Sequence, residues 1–132
     1  MASNLTAHQI TQFKQALLSR SKILLEEIRQ ELLKYDNERY QELAGTVHDL
    51  EEESVADLLV DLELADIDRH VEEIRSIEAA LLLIARGRYG LCIECQGPIE
   101  LERLNINPAA ERCLNCQNQY EKTHAGEAHS SL

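Results

Sequence analysis

Four cysteines near the C-terminus are the residues whose type and spacing most clearly predict chemistry. They form two pairs, Cys92 with Cys95 and Cys113 with Cys116, and residues 96–112 separate the pairs. A two-residue gap lets one turn of chain present two thiolates to one metal ion, and Zn²⁺ prefers four such ligands in a tetrahedron. The pattern therefore predicts one structural Zn²⁺. Because four sulfurs would fill every coordination position, we do not expect the metal to activate water.

Other chemistry has weaker support in the sequence. A thiol redox site is the alternative interpretation of a Cys-x-x-Cys pair, but it needs only one pair and a surrounding βαβ pattern, which is missing here. The five histidines are scattered, and each is more easily explained as a surface residue than as a ligand. No Ser/His/Asp arrangement, phosphate-binding loop or helical His-Glu metal motif is present, so we do not expect an enzyme.

Two long amphipathic stretches precede the cysteines and must position them. Residues 6–43 contain neither Pro nor Gly and carry apolar residues at helical spacing, which predicts one long helix. A break is predicted at Gly45-Thr46. Residues 50–86 then repeat their apolar positions by sevens, as in a coiled-coil seam. One row comprises Val60, Ile67, Ile74 and Leu81, and a second comprises Leu64 and Val71. Two helices of similar length joined by a short connection should fold back antiparallel.

The predicted fold is mainly α: a long antiparallel coiled-coil hairpin with a small C-terminal four-Cys zinc-finger head and a short terminal helix. Residues 1–86 would form the N-terminal segment and the coiled coil, with an acidic tip near residues 45–54. Residues 87–124 would form the zinc finger and the C-terminal helix, and residues 125–132 a flexible tail. Gly87 suits the left-handed conformation that commonly follows a helix end.

Charge and hydropathy limit the partners. The formal net charge is −11, so the chain as a whole repels a phosphate backbone, and a basic protein surface is the more natural partner than nucleic acid. The N-terminus lacks the sections of a signal peptide, and no apolar run approaches membrane-spanning length. We therefore expect a cytoplasmic protein with no membrane contact.

The acidic residues concentrate where the hairpin is predicted to turn. Between Arg39 and Arg69 there is no Lys or Arg, whereas ten acidic residues occur. Asp49 and Glu52 fit the N-cap and capping box of the second helix, and the other acids fit a solvated face. A rigid acidic tip could equally reach into a basic cleft. The residues alone leave both interpretations open.

From about residue 49 to residue 120 the chain resembles the DksA/TraR family of bacterial transcription regulators. The segments that carry the resemblance are residues 87–95, 98–99, 102–104 and 108–117. The resemblance implies a protein that binds RNA polymerase without contacting DNA sequence-specifically. It also implies that the coiled coil enters the secondary channel of polymerase and that the acidic tip approaches the catalytic Mg²⁺ region. Members thereby alter the stability of promoter complexes, often together with the alarmone ppGpp.

The family's tip motif, Asp-x-x-Asp-x-Ala, falls on Asp49, Glu52 and Ser54. The first acid is kept, the second becomes the longer Glu, and Ala becomes Ser, so charge is retained while shape changes. Arg69 keeps a basic residue that the family uses against polymerase, although it could instead pair within its own helix with Glu72 or a neighbouring acid.

The sequence departs from the family pattern at two places around the cysteines. The basic residues that help the family hold ppGpp correspond here to Asn107 and Gln117, and neither can pair with phosphate as a cation. This weakens the expectation of ppGpp dependence that the family carries. The glycine that follows the second cysteine in the family is replaced by Gln96, which predicts a residue other than glycine at positive φ.

Three functions follow in order of preference. The first is a regulator of transcription initiation that binds RNA polymerase directly, with its acidic tip in the secondary channel. The alternative is a zinc-stabilised coiled-coil adaptor that docks on another basic protein. The third, of a different class, is a thiol redox sensor.

Overall fold

The computed structural model describes residues 4–49, 58–59 and 65–123, with the backbone alone at residues 48, 49, 65 and 66. The helices defined in this part are α1 (Ala7–Leu33), α2 (Glu38–Asp49), α3 (Ala65–Ala85), α4 (Leu101–Ile106) and α5 (Leu114–Thr123). The described residues form no strand, and an isolated antiparallel bridge joins Leu91 to Pro98. The mainly α prediction is therefore confirmed. Within these same residues, no helix combines the length and the apolar character needed to cross a bilayer.

Helix α1 begins at a reciprocal cap between Thr6 and Gln9. The Gln9 N–H donates to Thr6 Oγ1 at 3.1 Å, and the Thr6 N–H donates to Gln9 Oε1 at 2.9 Å. In this capping-box arrangement, side chains satisfy donors that have no partner inside the helix. The predicted helix start near residue 6 is therefore correct.

The single helix predicted over residues 6–43 is wrong, because the chain breaks between α1 and α2. Asn37 explains the break: its Oδ1 accepts hydrogen bonds from the N–H of Arg39 at 2.9 Å and of Tyr40 at 3.3 Å. An Asn side chain that satisfies these donors starts a new helix and competes with continuation of the old one. The absence of Gly and Pro was not sufficient evidence for continuity.

The break predicted at Gly45-Thr46 is also wrong, because both residues lie inside α2. A helical Gly costs only about 1 kcal/mol relative to Ala, which neighbouring packing can offset. Thr46 Oγ1 donates to the Glu42 carbonyl at 3.1 Å, so its hydroxyl is satisfied within the helix. Asp49 is the last residue of α2, and the helix start predicted at residue 50 lies outside the described residues.

The chain divides into two compact units. The arm unit comprises Gln15–Ala79, and the head unit comprises Met1–Lys14 together with Ala80–Leu132. Helices α1 and α3 each contribute residues to both units. The head unit therefore includes the first residues of the chain as well as the cysteine region.

Within the arm unit, α1 and α3 run antiparallel. The Arg20 guanidinium lies 2.6 Å from the Glu73 carboxylate, and His70 Nε2 lies 2.9 Å from Glu27 Oε2. Glu27 follows Arg20 on α1, whereas its partner His70 precedes Glu73 on α3. The two helices therefore run in opposite directions. The predicted antiparallel pairing is confirmed for this part of the chain.

The interior of the arm unit is aliphatic. Ile67 and Ile74 of the predicted heptad row are 0% and 2% exposed, and Val71 of the second row is 5% exposed. Val60 and Leu64 lie outside the described residues. The buried partners from α1 and α2 are Leu17, Leu24, Ile28, Leu32, Ala44 and Val47. Burial of this seam provides the main stabilisation of the arm.

Helix α3 ends at a glycine cap in the head unit. Gly87 has φ 71°, its N–H donates to the Ile84 carbonyl at 3.1 Å, and the Arg88 N–H donates to the Leu83 carbonyl at 2.9 Å. These two bonds define a Schellman motif, in which the left-handed residue lets the chain turn back over the last helical turn. The prediction for Gly87 is confirmed.

A buried tyrosine organises the apolar part of the head unit. The Tyr89 ring packs against Phe13 with ring centroids 5.9 Å apart, and its hydroxyl donates to the Pro108 carbonyl at 2.7 Å. Burial raises the pKa of Tyr89, so the hydroxyl remains a neutral donor. Ile99 and Leu104 complete this small core, at 5% and 0% exposure.

Candidate metal centre

The first cysteine pair lies on a tight turn closed by backbone hydrogen bonds. The Cys92 N–H donates to the Gly97 carbonyl at 2.8 Å, the Gln96 N–H donates to the Cys92 carbonyl at 2.9 Å, and the Ile99 N–H donates to the Gly90 carbonyl at 2.8 Å. These bonds fold the chain so that Cys92 and Cys95 face the same side. A two-residue gap allows this arrangement but does not by itself enforce it.

Gln96 has the left-handed conformation that the sequence predicted, with φ 63°. A side chain other than glycine in this region costs roughly 1 kcal/mol of backbone strain. The next residue is close to the sulfurs: a Cβ added at Gly97 would lie 3.5 Å from Cys95 Sγ. The turn is therefore strained at Gln96, whereas Gly97 has room for a side chain at ordinary van der Waals distance from the sulfur.

The second cysteine pair lies at the start of α5. Cys113 precedes the helix and its carbonyl accepts from the Gln117 N–H at 2.9 Å, while Cys116 lies in the first turn. The Leu114 N–H has no partner inside the helix and donates instead to Glu100 Oε1 at 3.1 Å. A helix start thus sets the direction of both sulfurs.

The four sulfurs lie where one tetrahedral ion would bind them. All four Sγ atoms lie within 4.8 Å of one another, and Cys95 Sγ is 3.9 Å from Cys113 Sγ. Zn–S bonds of about 2.3 Å in a tetrahedron place sulfurs about 3.8 Å apart, whereas a disulfide requires about 2.05 Å. All four are free thiols in the structure. The site fits a single Zn²⁺, and a structural zinc ion is the cofactor of this protein.

Electrostatics within the cluster also favour a cation. Burial opposes ionisation of Cys92, but hydrogen bonds from backbone N–H groups, those of Cys95 and Cys113 foremost, lower the pKa of its thiol to about 6. Hydrogen bonding to Cys113 raises the pKa of the Cys116 thiol to about 12. The Cys92 sulfur thus favours the charged thiolate form, whereas the Cys116 sulfur favours the protonated thiol. A bound metal ion would displace the protons and neutralise the clustered charge.

Arg112 connects the segments around the cluster, and the sequence analysis did not assign it a role. Its guanidinium lies 3.2 Å from Glu94 Oε1, 3.0 Å from Glu111 Oε1 and 3.9 Å from the centre of the Tyr120 ring. The side chain is only 14% exposed. The position of an Arg directly before the third cysteine was visible in the sequence, but its contacts depend on how the two turns fold together.

The other predicted site residues are not gathered at this centre. Asp49 is the end of α2, and nothing is described of its side chain, whereas Glu52 and Ser54 lie outside the described residues. Arg69 lies on an exposed face of α3 in the arm unit. The structure therefore assembles the predicted metal site and leaves the predicted tip residues as sequence-based expectations.

Asn107 and Gln117, the two residues that replace basic positions, make local hydrogen bonds. Asn107 Oδ1 accepts from the Ala109 N–H at 3.1 Å, and Gln117 Nε2 donates to Glu121 Oε1 at 3.1 Å. Both amides thus stabilise the turns and helix in which they lie. Neither brings a positive charge to the surface beside the second cysteine pair.

Comparison with known families identifies the cysteine region. Residues 87–122 match the prokaryotic dksA/traR C4-type zinc finger. A relative, the RNA polymerase-binding transcription factor DksA of Caulobacter vibrioides, is 31% identical over 116 residues. This alignment covers 86% of the chain and 77% of the relative. The similarity therefore extends well beyond the zinc finger into the helices that precede it.

Solved structures show the same fold. The transcription factor DksA2 from Pseudomonas aeruginosa superposes with a TM-score of 0.62 at 27% identity, covering 90% of this chain and 88% of that one. The DnaK suppressor protein from Agrobacterium tumefaciens superposes with a TM-score of 0.59 at 22% identity, covering 90% and 99%. The second similarity is evidence of fold alone.

Proposed function

The chain belongs to the DksA/TraR family of transcription regulators, and on that premise we propose that it regulates transcription initiation by binding RNA polymerase directly. The observation that carries the proposal is identity of 31% over 86% of the chain with an RNA polymerase-binding transcription factor. The net charge of −11 agrees with a protein partner and disfavours DNA as the main binding surface. We place this activity in the cytoplasm and assign no role to a membrane.

In this proposal Cys92, Cys95, Cys113 and Cys116 are the four ligands of one structural Zn²⁺. The mutual distances of their sulfurs and the zinc-finger match over residues 87–122 support the assignment. With four thiolate ligands the ion has no open position, so its role is to stabilise the fold of the head and not to catalyse a reaction. The head contains few large buried residues, and metal binding would supply much of its folding free energy.

We propose that the acidic region between the helices of the arm enters the secondary channel of polymerase. Its ten acidic residues between Arg39 and Arg69 are interrupted by no Lys or Arg, and the antiparallel helices of the arm provide a rigid support. Asp49, Glu52 and Ser54 would act on polymerase from this tip. The carboxylates of Asp49 and Glu52 carry the charge of the family motif, and that charge would be the source of the regulatory effect.

Arg69 would contact polymerase from the side of the arm. It is an exposed cation on α3, close in sequence to the acidic region, and it occupies a position that the family uses for binding. In contrast, we propose little dependence on ppGpp, because Asn107 and Gln117 are uncharged and are engaged in local hydrogen bonds. We also retain the division into residues 1–86, 87–124 and 125–132 as functional segments.

The test is binding of the purified, zinc-loaded protein to bacterial core RNA polymerase, measured by co-elution and by biolayer interferometry. We expect a one-to-one complex whose affinity falls as salt is added, because screening weakens an acidic arm in a basic channel. Regulation is then measured by in vitro transcription from a promoter that forms unstable open complexes. Absence of a complex at low salt would reject the proposal, and recovery of another basic protein from lysate would favour the adaptor alternative.

A further inference from the structure

The helical path of the arm unit is interrupted between α1 and α2. Helix α1 ends at Leu33 and α2 begins at Glu38. The N–H groups of Lys34 and Tyr35 donate to carbonyls three residues back, at 3.2 and 3.3 Å, where a continuing α-helix would use the fourth. Residues 34–37, which we call the α1–α2 junction, therefore allow the direction of α2 to be set separately from that of α1.

Two tyrosine rings meet across this junction. Tyr35 lies within it and Tyr40 lies in the first turn of α2, and their rings pack edge to face with centroids 5.3 Å apart and planes at 85°. In a continuous helix, side chains five residues apart point about 140° away from each other and cannot meet in this way. The ring contact therefore requires the interruption and favours one direction of α2.

Asn37 closes the junction on the side of α2. Its Oδ1 accepts from the N–H groups of Arg39 and Tyr40, and its carbonyl accepts from the Gln41 N–H at 3.1 Å. Its own N–H donates to the Tyr35 carbonyl at 2.9 Å. A single residue thus bonds to both sides of the junction, which fixes the angle at which the chain enters α2.

Helix α2 extends from the junction to the acidic tip. Asn37 precedes its first residue and Asp49 is its last, so α2 is a lever about 18 Å long. A change of about 20° in its direction, the size of a sharp helix kink, would move Asp49 by roughly 6 Å. Attraction between charges falls with their separation, so such a displacement would take a carboxylate out of contact with its target.

We infer that Asn37 is a positioning residue for the acidic tip: its cap, together with the Tyr35–Tyr40 contact, sets the direction in which α2 presents Asp49 to RNA polymerase. The inference rests on the proposed function and deepens it, since it assigns the placement of the tip to a side chain that does not itself act on polymerase. Loss of the cap should therefore impair regulation while leaving binding in place.

The experiment replaces Asn37 in the zinc-loaded full chain. Asn37→Ala removes the cap and introduces the residue with the highest helix propensity, so it favours fusion of α1 with α2. Residual dipolar couplings of the backbone N–H groups should show a change of about 20° or more between these helices. Affinity for core RNA polymerase should stay within about twofold of wild type, whereas the effect on open-complex lifetime should be lost. Asn37→Asp, which caps equally well, should retain both the wild-type angle and regulation.

Thr6→Ala is the matched control for a lost cap. Thr6 caps α1 through the same kind of side-chain bond, at the end of α1 far from the junction. Each alanine variant should lower the unfolding midpoint by about 3–5 °C, but only Asn37→Ala should lose regulation. If Asn37→Ala does not fold, Asn37→Gly takes its place, because Gly lacks the capping oxygen yet costs little stability at the start of a helix.

Regulation at the wild-type level by the uncapped variant would overturn the inference, whether or not the helix angle has changed. An unchanged angle would also overturn it, because the buried contacts of Ala44 and Val47 would then fix the direction of α2 without the cap. Equal loss of regulation in Thr6→Ala would reduce the effect to stability and would likewise overturn it. A wild-type protein without any effect on transcription would instead reject the proposed function, and the inference with it.

Discussion

The guanidinium of Arg112 stacks on the ring of Tyr120, with its central carbon 3.9 Å from the ring centroid. Arg112 directly precedes the second cysteine pair and Tyr120 lies one turn beyond it on α5. The same guanidinium reaches Glu94 between the cysteines of the first pair at 3.2 Å. One side chain thus joins both cysteine turns and the final helix.

Replacement of Arg112 by lysine should destabilise the head. Arg112→Lys keeps the charge but loses the planar group that stacks on a ring and bonds two carboxylates, so we expect a loss of about 1 kcal/mol in the stability of the head. Urea unfolding with zinc in excess measures the change. Arg88→Lys, at an exposed arginine of the same unit, is the control. Equal midpoints for the two variants would show that the stack does not stabilise the head.

Cys113→Ser should abolish zinc binding and unfold the head. We expect zinc content to fall from one equivalent to near zero, because three thiolates and a hydroxyl bind Zn²⁺ far more weakly than four thiolates. Most of the helical circular dichroism should remain, since the arm has its own aliphatic interior. Elemental analysis and the dichroism signal at 222 nm measure the two effects. A wild-type protein with a folded head, four free thiols and no zinc would contradict the assignment.

The tip should act through charge. Asp49→Asn with Glu52→Gln removes two carboxylates and nearly preserves shape, so binding to polymerase should change little while the effect on transcription is lost. Single-round transcription and binding, measured side by side, separate the two. Glu42→Gln, which removes an exposed acid earlier on α2, is the control. Full regulation by the double variant would refute a charge mechanism.

The Arg20–Glu73 pair should make arm stability depend on pH. The hydrogen bond from Arg20 lowers the pKa of Glu73 from 4.5, so its stabilisation is complete above the unfolded pKa and disappears as pH falls through the folded pKa. Both groups are nearly half exposed, which limits the contribution to about 0.5 kcal/mol. Urea unfolding of Glu73→Gln and wild type should differ by that amount at pH 7 and converge as pH falls through the lowered pKa of Glu73. Glu72→Gln, at an exposed neighbour, should show no such difference. If the difference in stability between Glu73→Gln and wild type stays constant across pH, the Arg20–Glu73 pair is not its cause.

The strained turn after the first cysteine pair should be improved by glycine. Gln96→Gly relieves a positive φ of 63° but increases the entropy of the unfolded chain, and we expect net stabilisation of about 0.5 kcal/mol. Gln96→Ala keeps the backbone strain and is the control. Unfolding of the zinc-loaded head measures both variants. A glycine variant no more stable than the alanine variant would mean that the strain is relieved elsewhere.

The cysteine spacing was sufficient to predict the metal centre, because two short turns can present four thiolates in few other ways. Gly87 and Gln96 were predictable for a similar reason, since each occupies a position where a local conformation is required. The break at Asn37 was not predictable. A side chain that caps a new helix competes with continuation of the old helix, and the hydrophobic pattern does not reveal which of the two is more stable. Arg112 was missed since its partners come from segments that meet only after both turns have formed.

The contact between Phe13 and Tyr89 has a consequence for the order in which the chain folds during synthesis. Phe13 is synthesised long before Tyr89 and the last cysteine, Cys116. About 100 residues are translated between Phe13 and Cys116. At about 5–20 residues per second, the start of the chain waits roughly 5–20 s for its partners. The arm can pair its helices during that interval, whereas the N-terminal turn of α1 stays exposed to proteases and chaperones until the fourth thiolate emerges. Zinc supply in the cell therefore sets when the start of α1, as well as the cysteine region, becomes protected.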